Sequence, residues 1–436
     1  MTEDFASARK LRWIVLCLFV AATAVAQISN HWVGSWAASQ QLVEPRNAIP
    51  VDEFQDATLR QIVHLSIGGD KLRVRLSNRF GVVPLNLLAV HVARPVAPDS
   101  SRIVASSDKE LTFSGRTFVI IPAGADYWSD PFTLKTGAQS DLALTIYLDS
   151  KISEQTGHPG SRATSYLVHG NSVSAADLPE PKRVDHWYFI ASIEVESTAN
   201  AAAVAVLGDS ITDGRGSTTN ANNRWTDVLA RRLLSSPSTK NIAVLNHGIG
   251  GNRLLLDSIG PNALARFDHD VLSQAGVKHL IVLEGINDIG TLGVKGDASP
   301  AEHEDLVRRM IAAYEQIITR AHTHGIKVTG CTILPFVGTA VYHPDASSEK
   351  DRQTVNGWIR NSGRFDFVVD FDRLMRDPNS PEHMLAKYDS GDHLHPSPEG
   401  YAAMGAAVPL SIFSIKSPVN TRRSQPRKPA ARNRLE

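Results

Sequence analysis

Ala203-Val204-Ala205-Val206-Leu207-Gly208-Asp209-Ser210-Ile211-Thr212-Asp213-Gly214 is the stretch on which the reading of this chain turns. Five apolar residues in a row, broken at once by Gly-Asp-Ser, are too few for a helix. They spell a short strand buried on both faces. Downstream of it, helices and strands alternate. Asn223 to Leu234 sets Trp225, Val228, Leu229 and Leu233 on one helical face. Ile242 to Leu245 and His279 to Leu283 read as a second and a third strand. Ser299-Pro300-Ala301-Glu302 is a capping box with proline at the first helical position. Its helix is predicted to run to His324 and stop at Gly325. Ile326 to Leu334 and Phe367 to Phe371 supply two more strands. Ser397-Pro398-Glu399 opens a last helix that Pro409 should end or kink. Strands alternating with helices predict an α/β fold, a parallel sheet with helices on both faces. In such sheets sites form beyond the carboxyl ends of the strands.

Upstream the grammar differs. From His31 to about Thr198 short β-rich runs recur: Leu59 to Ile67, Lys71 to Ser77, Leu85 to Val92, Thr117 to Ile121, Asp141 to Leu148 and Trp187 to Val195. Gly68-Gly69-Asp70 between the first two is a hairpin signal. Gln155 to Asp177 reads as a long loop. The expectation is an all-β sandwich or jelly roll over 27–199, followed by an α/β domain over 200–415.

The two ends stand apart. Arg9, Lys10 and Arg12 precede an apolar run from Trp13 to Val25, which closes on Ala24-Val25-Ala26. That order predicts a signal peptide over 1–26, cleavage after Ala26, and a secreted or periplasmic protein. A retained anchor is the alternative. Residues 416–436 are Pro- and Arg-rich with few apolar groups, and read as a basic disordered tail. Leader and tail carry net charges of +1 and +6, so the neutral whole leaves a body at −7. An acidic body argues against nucleic acid as a partner. With 42% hydrophobic and 21% charged residues, and a single long apolar run, neither a disordered chain nor a polytopic membrane protein fits. Two cysteines exclude a disulfide framework. Cys331, in an apolar stretch, is expected to be a buried inert thiol.

Four clusters fall where the sheet predicts a site: Gly208-Asp209-Ser210, Gly248-Ile249-Gly250-Gly251-Asn252, Glu284-Gly285-Ile286-Asn287-Asp288, and Asp389-Ser390-Gly391-Asp392-His393-Leu394-His395-Pro396. A hydroxyl, a glycine backbone, a carboxamide and an Asp/His pair are the parts of acyl transfer. The glycines could equally make a turn or a phosphate cradle, but the dinucleotide spacing is absent. Asp389, Asp392, His393 and His395 could form a metal cluster. Yet His393 and His395 alternate in an extended segment and should point apart, so no metal or other cofactor is expected. Asp209 and Asp288 read as structural hydrogen-bonders.

In this order the clusters resemble the signature blocks of the GDSL/SGNH hydrolases, carried by Gly208-Asp209-Ser210, by Asn246 with Gly251, by Gly285 with Asn287 and Asp288, and by Asp392 with His395 and Pro396. The resemblance covers about Ala201 to Phe413 and implies the SGNH, flavodoxin-like sheet. It implies Ser210 as nucleophile, His395 as base, Asp392 as its orienting carboxylate, and an oxyanion hole from Ser210, Gly251 and Asn287. Trp32-Val33-Gly34-Ser35-Trp36 also looks like the start of a secreted bacterial subgroup similar to arylesterases and acetylxylan esterases. The implied function is a secreted serine ester hydrolase that removes short, acetyl-type acyl groups from small molecules or a polysaccharide such as xylan. After leader removal it would have no stable membrane association. A lysophospholipase or thioesterase, and a carbohydrate-binding protein with an inactive hydrolase domain, remain as alternatives.

Overall fold

The computed structural model describes residues 31–197, 200–294 and 298–413. The predicted leader and its cleavage point, and the basic tail, lie outside these residues.

The run Ala202–Gly208 (β1) is a strand buried throughout. It is flanked by Ile242–Gly248 (β2) and Val277–Leu283 (β3), and the sheet continues through Lys327–Cys331 (β4) and Phe367–Val369 (β5), all parallel, in the order β2-β1-β3-β4-β5. That order reverses beside β1, which puts a crevice at the carboxyl end of β1. Helices Ser210–Asp213 (α1), Trp225–Ser235 (α2), Ala263–Phe267 (α3), Ile286–Leu292 (α4), Pro300–Thr323 (α5), Ala346–Asn361 (α6), Phe371–Met375 (α7) and Pro398–Ala407 (α8) complete this half. α5 begins on the predicted box: Ser299 Oγ accepts from the Glu302 N–H, and Glu302 accepts in turn from the Ser299 N–H at 2.7 Å. It ends beside Gly325, whose φ of +68° suits glycine. Its Leu306, Met310, Tyr314, Ile317 and Ala321 are buried. α8 stops before Pro409. The β4 and β5 strands are shorter than predicted. Asp370 caps α7 by accepting from the Arg373 N–H, so Phe371 turns into a helix instead of extending the strand. Cys331 is buried, and burial pushes its thiol up.

The N-terminal half is antiparallel and β-rich. One sheet joins His31–Ala37, Ile190–Ser197, Gly69–Ser77 and Asp126–Trp128, with Phe132–Thr136 alongside. A second joins Lys182–Val184, Ser165–His169, Ala57–His64, Asp141–Leu148, Leu85–Ala93 and Lys109–Glu110, with Val119–Ile121 alongside. Leu59 and Val63 of the second sheet share a core with Leu72, Val74 and Leu76 of the first, as the two-residue period requires.

Two expectations fail here. Ala57–His64 and Gly69–Ser77 do not form a hairpin, since they belong to different sheets. A Cβ on Gly68 would lie 2.3 Å from the Thr136 carbonyl. The glycine admits a passing backbone while the chain changes sheets; it does not make a tight turn. Nor is 155–177 only a loop: it holds strands Thr156–His158 and Ser165–His169, both buried over most of their length. The turn residues Pro159, Gly160 and Gly170 mark their ends and hide their shortness.

The halves share one apolar core. The Gly34 N–H bonds the Ala275 carbonyl at 3.0 Å, and the Val244 N–H bonds Ser66 Oγ at 3.1 Å. A Cβ on Gly34 would sit 2.8 Å from a Leu245 methyl, so the edge strand lies flat on β2.

Candidate active site

Ser210 is the first residue of α1, immediately beyond β1. Asp209 caps the helix, its side chain accepting the Ile211 N–H at 2.9 Å. A one-turn helix needs outside support. Asn246 donates to the Thr212 carbonyl at 2.7 Å and accepts from the Gly248 N–H at 2.9 Å, tying α1 to β2. A Cβ on Gly248 would fall 2.2 Å from the Asp213 nitrogen, so only glycine permits this approach.

The loop before α8 brings up the other groups. Asp392 Oδ1 accepts from the backbone N–H groups of Leu394 (3.0 Å) and His395 (2.8 Å). Its Oδ2 accepts from His395 Nδ1 at 2.6 Å. Because Nδ1 faces a carboxylate, it carries the ring proton, and Nε2 is left as acceptor. Nε2 lies 2.8 Å from Ser210 Oγ, whose O–H donates to it. Burial alone would raise the Asp392 carboxyl. The His395 ring and the backbone donors outweigh burial and hold it well below the usual carboxylate range. Ser210 and His395 are almost buried but open into the cleft.

Gly251 and Asn287 line the same cleft, of about 630 Å³. Gly251 has φ +67°, and a Cβ there would meet Ile259 at 3.1 Å. The glycine is required first by its left-handed backbone conformation. Asn287 stands in the first turn of α4, behind Gly285 at φ +109°. Its Nδ2 donates to the Asn252 carbonyl at 2.8 Å and its Oδ1 accepts from the Tyr342 hydroxyl at 2.6 Å. One amide hydrogen is left over. Nothing local in the sequence marks Tyr342, which lies in an irregular segment far from the four clusters. Burial, then the charge of Asp209, pushes its phenol up to about 12, so it remains a donor.

His393 is not in an extended segment, contrary to expectation: its φ is +57°. It still turns away from His395, pairing through Nδ1 with Asp389 at 2.6 Å. Among the described residues no group of three or more His, Cys, Asp or Glu side chains is placed to hold a metal ion.

Beneath the site lies a buried polar layer that the sequence did not foreshadow. Arg266 donates to Gly208 O (2.9 Å), His247 O (2.7 Å), Asn252 Oδ1 (3.0 Å), Asp270 (2.8 Å) and Glu284 (3.3 Å). It ties together the carboxyl ends of β1 and β2 and the loop bearing Gly251. Desolvation pushes Asp209 up to about 7, with the charge of Asp288 adding to it, and Asp288 up to about 6. It also raises Glu284. Asp288 accepts from the Leu254 and Leu255 N–H groups at 2.8 and 3.1 Å, the structural role expected of it. The N-terminal half reaches the site as well. His158 Nε2 meets Asp213 Oδ1 at 2.9 Å, behind the Ser210 turn.

Residues 206–403 match the GDSL-like Lipase/Acylhydrolase family. No curated protein matches the chain. Among similar solved structures is a lipolytic protein of the G-D-S-L family from Desulfitobacterium hafniense, at 21% identity and TM-score 0.35, covering 47% of this chain and 97% of that one. An acetyl xylan esterase, AlAXEase, is 19% identical with TM-score 0.36, covering 49% and 100%. A carbohydrate acetylesterase family member from Sinorhizobium meliloti is 17% identical with TM-score 0.36, covering 49% and 96%.

Proposed function

For a chain whose α/β half is a GDSL-like lipase/acylhydrolase domain, we propose a serine carboxylic-ester hydrolase that works through Ser210, His395 and Asp392. The observation that carries this reading is the relay of two hydrogen bonds, 2.6 Å from Asp392 to His395 and 2.8 Å from His395 to Ser210, opening on a cleft.

In this reading Ser210 Oγ attacks the ester carbonyl carbon while His395 Nε2 takes the hydroxyl proton. Asp392 keeps the ring in the tautomer that can accept, and stabilises the imidazolium that forms. The carbonyl oxygen becomes an oxyanion. The donors available for it are the Ser210 N–H, which α1 does not use, the Gly251 N–H, and the spare hydrogen of Asn287. Collapse breaks the ester C–O bond, and the imidazolium gives its proton to the departing alkoxide. Water then enters, His395 takes its proton, and the acyl-Ser210 is hydrolysed by the same steps reversed.

The acyl group is read as short and the alcohol as polar. Glu44, Arg46, Asn47, Arg162, His186 and Arg215 share the cleft wall with Pro159, Ile259, Val341, Tyr342 and Leu394. Charged and polar groups at these places favour a hydroxyl-rich alcohol, a sugar or polysaccharide, over the long acyl chain of a lysophospholipid. The complete set of reacting groups favours an enzyme over a retired binding domain. Secretion belongs to the same proposal and rests on the charged, apolar, small-residue order of residues 1–26.

Acetate release from acetylated polysaccharides and small esters, run beside Ser210→Ala, tests it. Turnover lost in the variant is expected. Turnover retained in Ser210→Ala would remove Ser210 as nucleophile. A p-nitrophenyl ester series should favour acetate over octanoate, and the opposite order would favour a lipid substrate.

A further inference from the structure

The N-terminal half builds one wall of the cleft, through Gln41, Glu44, Arg46, Asn47, Gly160 and Arg162. The carboxylates that line the cleft already have donors. Glu44 takes Asn47 at 3.0 Å, Arg46 at 3.3 Å and Gln41 at 3.5 Å. Asp213 takes His158 at 2.9 Å, and Asp392 takes His395 at 2.6 Å.

Arg46 is matched by Glu44, but two other cations of the cleft are not. The Arg162 side chain makes no hydrogen bond among the described residues. Its Nε is buried without a partner, and its nearest acid is Asp213 Oδ2 at 3.6 Å. The side chain is partly buried, 24% exposed. Arg215, which also lines the cleft, has no side-chain partner among the described residues either and is exposed.

The backbone that carries Arg162 is held firmly. It is left-handed there, φ +50°. The Asn220 N–H bonds its carbonyl at 2.9 Å, and Asn220 Oδ1 takes the Thr164 N–H at 2.8 Å. Arg224 donates to the Ser161 carbonyl. Two residues earlier Gly160 lies against Asp213, where a Cβ would come within 1.8 Å of Oδ2. A residue on a pinned, left-handed backbone, whose guanidinium lines a cleft without a hydrogen bond, is arranged for something that enters the cleft.

Resting on the esterase reading above, we propose that Arg162 is a specificity-determining residue that receives an oxyanion, carboxylate or phosphate, on the alcohol part of the ester. The guanidinium offers a planar fork of donors that fits two such oxygens at once, and a walled cleft strengthens the attraction over its value in bulk water. Arg215 adds a second positive charge. The substrates so selected are acyl esters of an acidic sugar or of a phosphorylated polyol.

Matched substrates test this: O-acetyl glucose, O-acetyl glucuronate and O-acetyl glucose 6-phosphate. The unmutated chain should favour a charged ester by about tenfold or more in kcat/KM, the size of one charge-assisted hydrogen bond, and mostly through KM. The preference should shrink between about 0.05 and about 0.5 M salt. Arg162→Gln should bring the ratio near one, with Arg162→Lys between. Whichever of the two charged esters leads identifies the anion. Equal rates on all three esters, or a preference that Arg162→Gln leaves intact, would overturn the assignment. If Arg162→Gln does not fold, inhibition of the unmutated chain decides: glucuronate or inorganic phosphate should compete where glucose does not. Should no ester be turned over, the hydrolase reading has failed separately. Calorimetric binding of glucuronate against glucose then still tests Arg162, and equal binding overturns it.

Discussion

On the proposed mechanism, removing the Tyr342 hydroxyl should weaken catalysis without touching Ser210, His395 or Asp392. The phenol donates to Asn287 Oδ1 at 2.6 Å, while Asn287 Nδ2 donates to the Asn252 carbonyl at 2.8 Å. These two bonds define which way the amide faces. The ring also packs on α4, where a Cβ on Gly290 would lie 2.4 Å from it. In Tyr342→Phe the ring stays and the donor goes. A hydrogen bond of this kind contributes about 0.5–1.5 kcal/mol, so kcat should fall roughly 2- to 12-fold as the amide gains freedom to turn its oxygen toward the developing oxyanion. Asn287→Ala removes the donor outright, a loss of about 3–4 kcal/mol or roughly 10² to 10³ in kcat. KM should move little in either variant, because the donor acts on charge that appears only in the transition state. The decisive measurement is the double variant in steady-state kinetics. Tyr342 acts through Asn287, so Tyr342→Phe should cost almost nothing more once Asn287 is alanine. Equal losses from Tyr342→Phe in both backgrounds would refute the positioning role.

Ser210→Ala and His395→Ala should each lower kcat by about 10⁶, and Asp392→Asn by about 10⁴, because it misorients the ring without deleting it; His393→Ala, which alters only the exposed pair with Asp389, should leave kcat nearly unchanged, and the reverse ranking of His393 and His395 would reassign the base. Asp392 is held well below the usual carboxylate range by the His395 ring and backbone donors, against the burial that would raise it, so it should contribute no step to the acid limb of the pH–rate profile; an acid step that vanishes in Asp392→Asn would contradict this. Asp209 is pushed up to about 7 by desolvation, so the stability it contributes is complete below its unfolded pKa of about 4 and is lost as pH rises through about 7. Asp209→Asn keeps an acceptor for the Ile211 N–H, and its Tm relative to the parent should therefore climb between pH 5 and pH 8; a gap that stays flat would be the contrary result. Gly160→Ala sets a methyl 1.8 Å from Asp213 Oδ2 and should destabilise by about 1–3 kcal/mol, with reduced kcat as the Ser210 turn shifts; an unchanged Tm and rate would show that the loop yields freely.

The parallel half was legible because its signals are local. A buried strand between turn residues, a capping box at Ser299 and a glycine stop at Gly325 each act within a few residues of themselves, and the structure repeats them. The candidate site was legible because α/β sheets gather strand ends at one edge, so four turns spread from Gly208 to Pro396 converge. Asp392 and His395 are close enough in sequence for one loop to pair them. The N-terminal half was harder. Its strand partners are distant, Ala57–His64 with Asp141–Leu148 and with Ser165–His169, and a run of alternating residues carries no mark of its partner. Gly68-Gly69 therefore reads as a hairpin turn at a place where the chain changes sheets.

By itself, then, the sequence determined the α/β half, its order of turns and the identity of the groups at their tips, since each depends on short-range preferences of a few residues. Only the tertiary structure decided the rest. Arg266 came to lie under the site with its six hydrogen bonds, one of them to Ser39 Oγ at 3.0 Å, Tyr342 came to orient Asn287, His158 came to back the Ser210 turn, and Gly160 and Arg162 came to form a wall beside Ser210 from the other half of the chain. These contacts join residues up to 227 positions apart. A buried donor or acceptor must find a partner or be paid for in desolvation, but which partner it finds depends on how the two halves pack together, and no local run of residues encodes that.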